Sequence, residues 1–515
     1  VLPHRQLSLL VCACVGALAC SSKGGGGGAT GDSSASVLER NKHPSRDGAF
    51  VQPTLTKAAA ATFAPDTTFA ASFTGAVWAS PLYLENGPGG KGAFYAVTTG
   101  NDVYAFDETT GAVVTGWPHN IGSSPTANGV SCGSIHPLGI ISTPVIDASS
   151  RTIYVAGAIG TTSIARHELH ALSVDDGSEK SGWPVDISTI TAGSLAFMPP
   201  PQNQRSALSL VGGVVYVAYG GHVGDCGAYH GWVVGINAQD PTKKGGWATG
   251  GQGEGIWAPG GMASDGNGVV AITGNRTGGG SSTHQDSEEV VRVTGFGTRA
   301  DAFYPVAPMN GTTPRWQAMD SQDADLGANQ PVYVELPGAT PSKMFVAISK
   351  DGHMYLLDAA SFGGADGAKV DFMVASGAMS IHTAPAAYRT AQGLYVVFST
   401  DGGAICPSGS AASGKVVISV LIPPGNPPAP QVKWCAPLSG PTTGPIATTT
   451  DGTSEAVVWF MNNGALNGVD GDTGAMITNG GGGTCSNVRQ WISPIAVKGR
   501  IVVGGDNHLC SWSAH

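Results

Sequence analysis

Alternation of apolar and polar positions organises this chain, and its clearest instance is residues 103–117, V-Y-A-F-D-E-T-T-G-A-V-V-T-G-W. Val103, Tyr104, Ala105, Phe106 and Asp107 have the period of two and the β-branched and aromatic content of a strand. Thr110-Gly111 predicts a tight turn, because glycine reaches φ > 0 without steric cost. A second short strand then runs to Trp117. The hairpin returns at residues 169–183, ending on Trp183, and at 233–247, ending on Trp247. A later copy at 466–474 keeps Asp472-Thr473-Gly474 and has no Trp. Self-similarity of this kind predicts a repeat architecture whose unit is a β-hairpin.

Eight units can be laid along the chain. Leading turns occur at Ser80-Pro81, Thr143-Pro144, Ala258-Pro259, Gln330-Pro331, Ala384-Pro385, Gly444-Pro445 and Ser493-Pro494, with residues 206–210 filling an eighth place without Pro. Second strands are predicted at 94–97, 153–156, 214–217, 269–272, 344–347, 394–397, 457–460 and 501–503. Third strands are centred on Phe106, Leu172, Ile236, Val291, Leu356, Ile418, Val469 and Cys510. A small antiparallel sheet cannot bury both its faces alone, and stacking eight of them radially covers the faces and leaves only short edges. The fold class expected is therefore all-β: an eight-bladed β-propeller of four-stranded antiparallel blades. The last unit stops after its third strand at Trp512, so its fourth is expected from residues 67–73, an N-terminal strand that closes the ring. The Gly/Ser-rich stretch 276–287 is expected to lie outside the ring as an exposed excursion, and residues 57–63 to make a short helix or turn.

The N-terminus reads differently. His4 and Arg5 precede an apolar run over residues 7–18 of signal-peptide length, followed by Ala19-Cys20-Ser21-Ser22-Lys23 and the glycines 24–28. Val1 in the place of Met is read as an alternative start or a slightly shortened chain. The division expected is a signal peptide over 1–19, an anchor and Gly/Ser-rich tether over 20–45, and the propeller over 46–515. Lys+Arg 26 against Asp+Glu 36 gives a net charge of −10, and without a basic stripe this excludes a nucleic-acid partner. Of nine cysteines, six lie beyond residue 20: Cys132, Cys226, Cys406, Cys435, Cys485 and Cys510. None forms a C-x-x-C pair, and an even set in an exported chain predicts disulfides. Fifteen pairings are possible, and proximity within the repeat favours Cys132–Cys226, Cys406–Cys435 and Cys485–Cys510.

Two resemblances follow from these residues. Residues 17–23 resemble the lipobox of bacterial lipoproteins, with Cys20 as the lipidated residue. Ser21 after it, where inner-membrane lipoproteins carry Asp, implies a lipid anchor in the outer membrane, on its periplasmic or cell-surface side. Ala105, Asp107, Thr110, Gly111 and Trp117 resemble the repeat of the quinoprotein alcohol dehydrogenase-like superfamily, the PQQ-like propellers, with the Trp two places further on. That family's enzymes hold a quinone in the central funnel between a Trp floor and a ring of adjacent cysteines, beside a calcium ion bound by Glu, Asn and Asp. This chain has no Cys-Cys dipeptide, and the calcium ligands cannot be placed on it residue by residue.

Residues that lead into the innermost strands face the axis of a propeller and are the default ligand surface. Here they are Trp78, Gln204, Arg205, Trp257, Asp325, Asn329, His382, Arg489 and Trp491. Charged groups beside indoles would hold a polar, planar ligand, or else plug the channel with paired charges and water. His222, Cys226 and His230 recur every four residues in the loop 220–232 and are the weak candidates for a metal, but the intervening glycines disfavour a helix and an exported Cys prefers a disulfide. Asp320, Asp323 and Asp325 lack the twelve-residue calcium loop and read as a solvated turn. No G-x-S-x-G, H-E-x-x-H or P-loop is present, so no catalytic residue is assigned. The function expected is a lipid-anchored extracytoplasmic propeller that binds a protein partner or a small polar ligand, with no cofactor. The alternative is a dehydrogenase of alcohols or sugars dependent on PQQ and calcium.

Overall fold

The computed structural model describes residues 35–278, 282–309, 311–376, 384–408, 412–478 and 483–515. The signal segment, Cys20, most of the tether and His382 lie outside the described residues. Eight four-stranded sheets stand around one axis as a β-propeller. Blade 1 runs Leu82–Leu84, Ala93–Val97, Asp102–Asp107 and His119–Asn120, each strand antiparallel to the last. Blades 2, 3, 5 and 6 repeat this order. All eight second strands and all eight third strands fall where the alternation places them, since a period of two commits one face of each strand to a neighbouring sheet. Blade 4 departs from the pattern. Its innermost strand shrinks to a single bridge, Ala263 to Val270, and Gly364–Ala365 is added in parallel to its outer strand Thr298–Tyr304.

The recurring Asp-x-x-Thr-Gly turn has a direct physical cause. In blade 1 the Asp107 carboxylate accepts hydrogen bonds from the Thr109 and Thr110 amides at 3.1 and 2.9 Å and from the Thr110 hydroxyl at 2.9 Å. Asp470 accepts likewise from the Asp472 and Thr473 amides, both at 2.9 Å. Gly111, Gly177 and Gly474 then turn the chain at φ of 73°, 74° and 72°. These turns are also where each blade meets the blade before it. Trp434 of blade 6 donates from Nε1 to Gly471 O of blade 7 at 2.9 Å, and a Cβ on Gly474 would stand 2.7 Å from its ring. Tyrosines reinforce the contact: Tyr95 of blade 1 donates to Val174 O of blade 2 at 3.0 Å, and Tyr388 of blade 6 to Gly471 O at 2.6 Å. Trp117 and Trp183 are equivalent, each against the second-strand tyrosine of its own blade at 5.7 and 5.5 Å. Trp247 differs, standing within the strand Lys244–Ala248 and packing on the apolar cluster shared by blades 3 and 4.

Ring closure is made by the N-terminal segment, with its regular pairing earlier than expected. Phe63–Pro65, rather than residues 67–73, pairs antiparallel with His508–Ala514. Phe63 is held there by a tilted ring contact with Trp459 of blade 7, ring centres 4.8 Å apart. Residues 67–73 continue beside the same strand, with Ala71 O accepting from Leu509 N at 3.0 Å and Phe73 N donating to Asn507 O at 2.9 Å.

The larger correction concerns the boundary expected at residue 45. Residues 36–45, expected in the tether, run with residues 46–52 round the inside of the ring and touch the innermost part of every blade. Val37 bridges Tyr83 of blade 1, Leu38 O accepts from Ile146 N of blade 2, and Arg46 donates to Leu208 O of blade 3 at 2.8 Å and Met262 O at the start of blade 4 at 2.9 Å. Ser45 O accepts from Tyr333 N of blade 5, Asp47 O from Ala387 N of blade 6, and Ala49–Val51 pairs in parallel with Ile446–Thr449 of blade 7. Arg40 donates to Ser493 Oγ of blade 8 at 3.0 Å. Arg40 and Arg46 are 1% and 0% exposed, so this stretch fills the axis. All three disulfides form as paired in the sequence, with Cα separations of 5.9, 5.9 and 6.0 Å. A short helix at Lys57–Ala60 precedes the closing strand.

Candidate functional site

The leading turns of the eight innermost strands gather at one end of the ring, called here the mouth, and the axial segment lies beneath them. Arg205, leading into blade 3, lies between two indoles: its guanidinium carbon is 4.8 Å from the Trp491 ring centre and 5.7 Å from that of Trp257. It is 8% exposed, its Nη2 has no hydrogen-bond partner, and burial alone lowers its pKa to about 10. The other mouth residues pair off rather than converge on it. Arg489 lies over Trp78 at 5.0 Å and binds Asp506. Asp325 takes the Lys350 ammonium and accepts from Asn275 N at 2.9 Å. Gln204 accepts from Ser142 Oγ and donates to Ser206 O at 2.7 Å. Asn329 is 1% exposed, and neither of its amide atoms has a partner among the described residues.

Blades 4 and 5 add a feature the sequence reading missed. Glu254, Glu288 and Glu289 are each 0% exposed, and Asp320 and Asp325 are buried with them. The expectation of a solvated turn at Asp320, Asp323 and Asp325 is therefore corrected. The helix Arg315–Gln322 carries Asp320 inward, where it accepts from Arg276 N at 3.0 Å and Ser287 Oγ at 3.0 Å, and only Asp323 faces solvent. Those two bonds hold the ends of the 276–287 stretch against the body, while Gly278, Ser282, Thr283 and Gln285 between them are exposed. Burial raises these carboxyls: Asp320 to about 6, Glu254 to about 7, Glu289 to about 8 despite Arg299 at 2.8 Å, and Glu288 well above its ordinary value. The only sequence signal was Ser287-Glu288-Glu289-Val290-Val291, in which two acids run without a break into a fully buried strand.

The loop 220–232 is pinned across the mouth by Cys132–Cys226. Gly133 N donates to Val223 O at 3.0 Å, joining the two loops into one wall. His222, Cys226 and His230 do not form a metal site, because the sulfur is in the disulfide and each ring is otherwise engaged. His222 Nε2 bonds Pro200 O at 3.0 Å and His230 Nδ1 bonds Thr249 O at 2.9 Å. Behind the wall lies a cavity of about 110 Å³, lined by Arg205, Trp491, Trp78, Asn203, Asn128 and His222 among others.

No family model matches the chain, and no curated protein matches it. Solved structures do. A quinohemoprotein alcohol dehydrogenase from Pseudomonas putida HK5 aligns with a TM-score of 0.62 at 13% identity, covering 93% of this chain and 80% of its own. The quinohemoprotein alcohol dehydrogenase of Comamonas testosteroni gives 0.62 at 15%, covering 94% and 81%. A europium-containing methanol dehydrogenase gives 0.58 at 14%, covering 93% and 89%. The chain thus shares the propeller fold of these dehydrogenases, and at these identities the likeness extends to the fold alone.

The described residues do not fit a quinone with calcium. Arg205 lies against both Trp257 and Trp491, the indoles that would have to stack on it. The Lys350 ammonium already neutralises Asp325, the one buried carboxylate among the sequence-predicted mouth residues. The disulfides join cysteines 94, 29 and 25 residues apart, not neighbours. The 110 Å³ cavity is also smaller than the roughly 300 Å³ at which drug-sized ligand pockets begin.

Proposed function

We propose that this chain is a lipid-anchored propeller on the extracytoplasmic side of a bacterial outer membrane, acting as a binding or scaffolding module through its mouth. The observation that carries the reading is the axial segment. Residues 36–52 touch all eight blades and fill the axis, which makes the ring a rigid body and leaves the mouth, with Arg205 and its two indoles, as the receiving face. The anchor rests on Cys20 and its flanking residues, and a Cys20→Ser chain is expected to leave the membrane fraction. A partner is expected in a pull-down from detergent-solubilised membranes; recovery of none above background counts against the scaffold role.

The competing reading, a PQQ-dependent oxidoreductase, is separated by one titration. Purified protein mixed with quinone and calcium is expected to show no shift of the quinone spectrum and no dye reduction with alcohols or sugars. A saturable shift accompanied by turnover would replace the binding reading with the enzymatic one.

A further inference from the structure

The other buried arginines among the described residues are compensated. Arg46 pairs with Glu39 at 3.0 Å, Arg292 with Asp265 at 2.7 Å and Arg315 with Asp371 at 2.6 Å. Arg40, without a carboxylate, donates instead to Asn41 Oδ1, Trp491 O and Ser493 Oγ at 3.2, 3.1 and 3.0 Å. Arg205 has neither form of compensation. Its charge meets only π faces, no carboxylate among the described residues pairs with it, and its Nη2 is buried without an acceptor. Indoles attract a cation but satisfy none of its hydrogen bonds, and a buried charge is stable only when paired or hydrogen-bonded. A guanidinium held against two rings is preorganised for a carboxylate, which it takes with two parallel hydrogen bonds.

The cavity beside it sets the size of the occupant. At about 110 Å³ it admits a molecule of a few heavy atoms, and its wall is fixed by the Cys132–Cys226 bridge rather than by mobile side chains. The same cavity is lined by Asn203, whose Oδ1 is a second buried atom without a partner. It is an acceptor, so it calls for a donor on the ligand. We infer that the cavity binds a small hydroxycarboxylate of about the size of lactate, its carboxylate on Arg205 and its hydroxyl donating to Asn203. The inference rests on the mouth being a receiving face and adds the chemical class of what it receives.

The test is titration calorimetry of the full chain with sodium lactate, with sodium acetate and with sodium chloride at matched ionic strength. Lactate is expected to saturate one site about tenfold more tightly than acetate, because a site built to accept a hydroxyl discriminates against the analogue lacking it. Chloride is expected to give no saturable heat. Arg205→Met should abolish lactate binding and raise the melting temperature of the ligand-free protein, since it removes an uncompensated buried charge. Arg205→Lys should keep the melt and weaken lactate about tenfold through loss of the fork. No saturable heat from lactate up to about 10 mM, binding undiminished in Arg205→Met, or an Arg205→Met chain that melts below the parent would each overturn the inference; the last would make Arg205 a structural cation–π clamp. A membrane partner recovered by both the parent and Arg205→Met, with no carboxylate bound, would sink this inference and leave the scaffold role standing.

Discussion

Arg46 concentrates the chemistry that holds the axis together. It is 0% exposed, bonds Leu208 O, Met262 O and Arg40 O at 2.8, 2.9 and 2.8 Å, and pairs with Glu39 at 3.0 Å. Replacing it with Met would leave Glu39 buried without its partner and take the Arg46 donor from Leu208 O and Arg40 O, while Met262 O keeps the Ser209 hydroxyl. Arg46→Met is therefore expected to destabilise the protein by about 3–5 kcal/mol, read from denaturant unfolding. The buried acids of blades 4 and 5 give a second expectation at this scale. Because burial raises Glu254 to about 7 and Glu289 to about 8, the native state holds protons that the unfolded chain releases above its ordinary carboxylate pKa. Their contribution is full below that value, near pH ~4.3, and is lost as pH rises through about 7 to 8. Turn aspartates act in the other direction: Asp451 is lowered to about 2 by the Ser454 amide and hydroxyl, so its contribution is lost only in strong acid. The melting temperature should fall between about pH 5 and pH 9, and Glu254→Gln should flatten that slope. An unchanged slope in the variant would mean that Glu254 is ionised throughout.

At the level of elements, the strands were legible because a period of two is a local property that packing between blades does not override. The turn chemistry was legible for the same reason, since Asp107 and Gly111 satisfy their own hairpin before they touch anything else. Pairing the cysteines succeeded because the repeat converts sequence position into place on a blade. Residues 36–52 were not legible. They have no periodicity, and their partners are single carbonyls and amides scattered over eight blades, while Arg40 and Arg46 in a polar stretch read as exposed. The site was legible in part: Arg205, Trp257 and Trp491 do meet, whereas Asp325 and Arg489 are taken by Lys350 and Asp506, whose positions no local pattern announces. Contacts between blades supply the test at this scale. Trp117 is 7% exposed, and a Cβ on Gly177 of blade 2 would stand 3.4 Å from its ring. Trp117→Ala should cost about 3–5 kcal/mol as a core aromatic truncation, and a melt unchanged by it would contradict packing between blades.

The whole molecule is a ring tied twice by its own N-terminal segment. Residues 36–52 fill the axis, and Phe63–Pro65 completes the eighth blade on the outside. Both ties precede the first blade in sequence, so the ring is complete only after the last blade has been made. If Cys20 carries an anchor, as proposed, the axial segment is the first part of the body described after it. The proposed binding role depends on this arrangement, because a filled axis would confine ligands and partners to the mouth and outer surface. Hydrogen–deuterium exchange of the full chain tests it without any substitution. The account predicts that the amides of Val37, Gly48 and Gln52, which donate to Tyr83 O, Asn41 O and Thr449 O, are protected as strongly as those of the blade strands. Exchange over residues 36–52 at the rate of an unstructured linker, with the blades still protected, would contradict it.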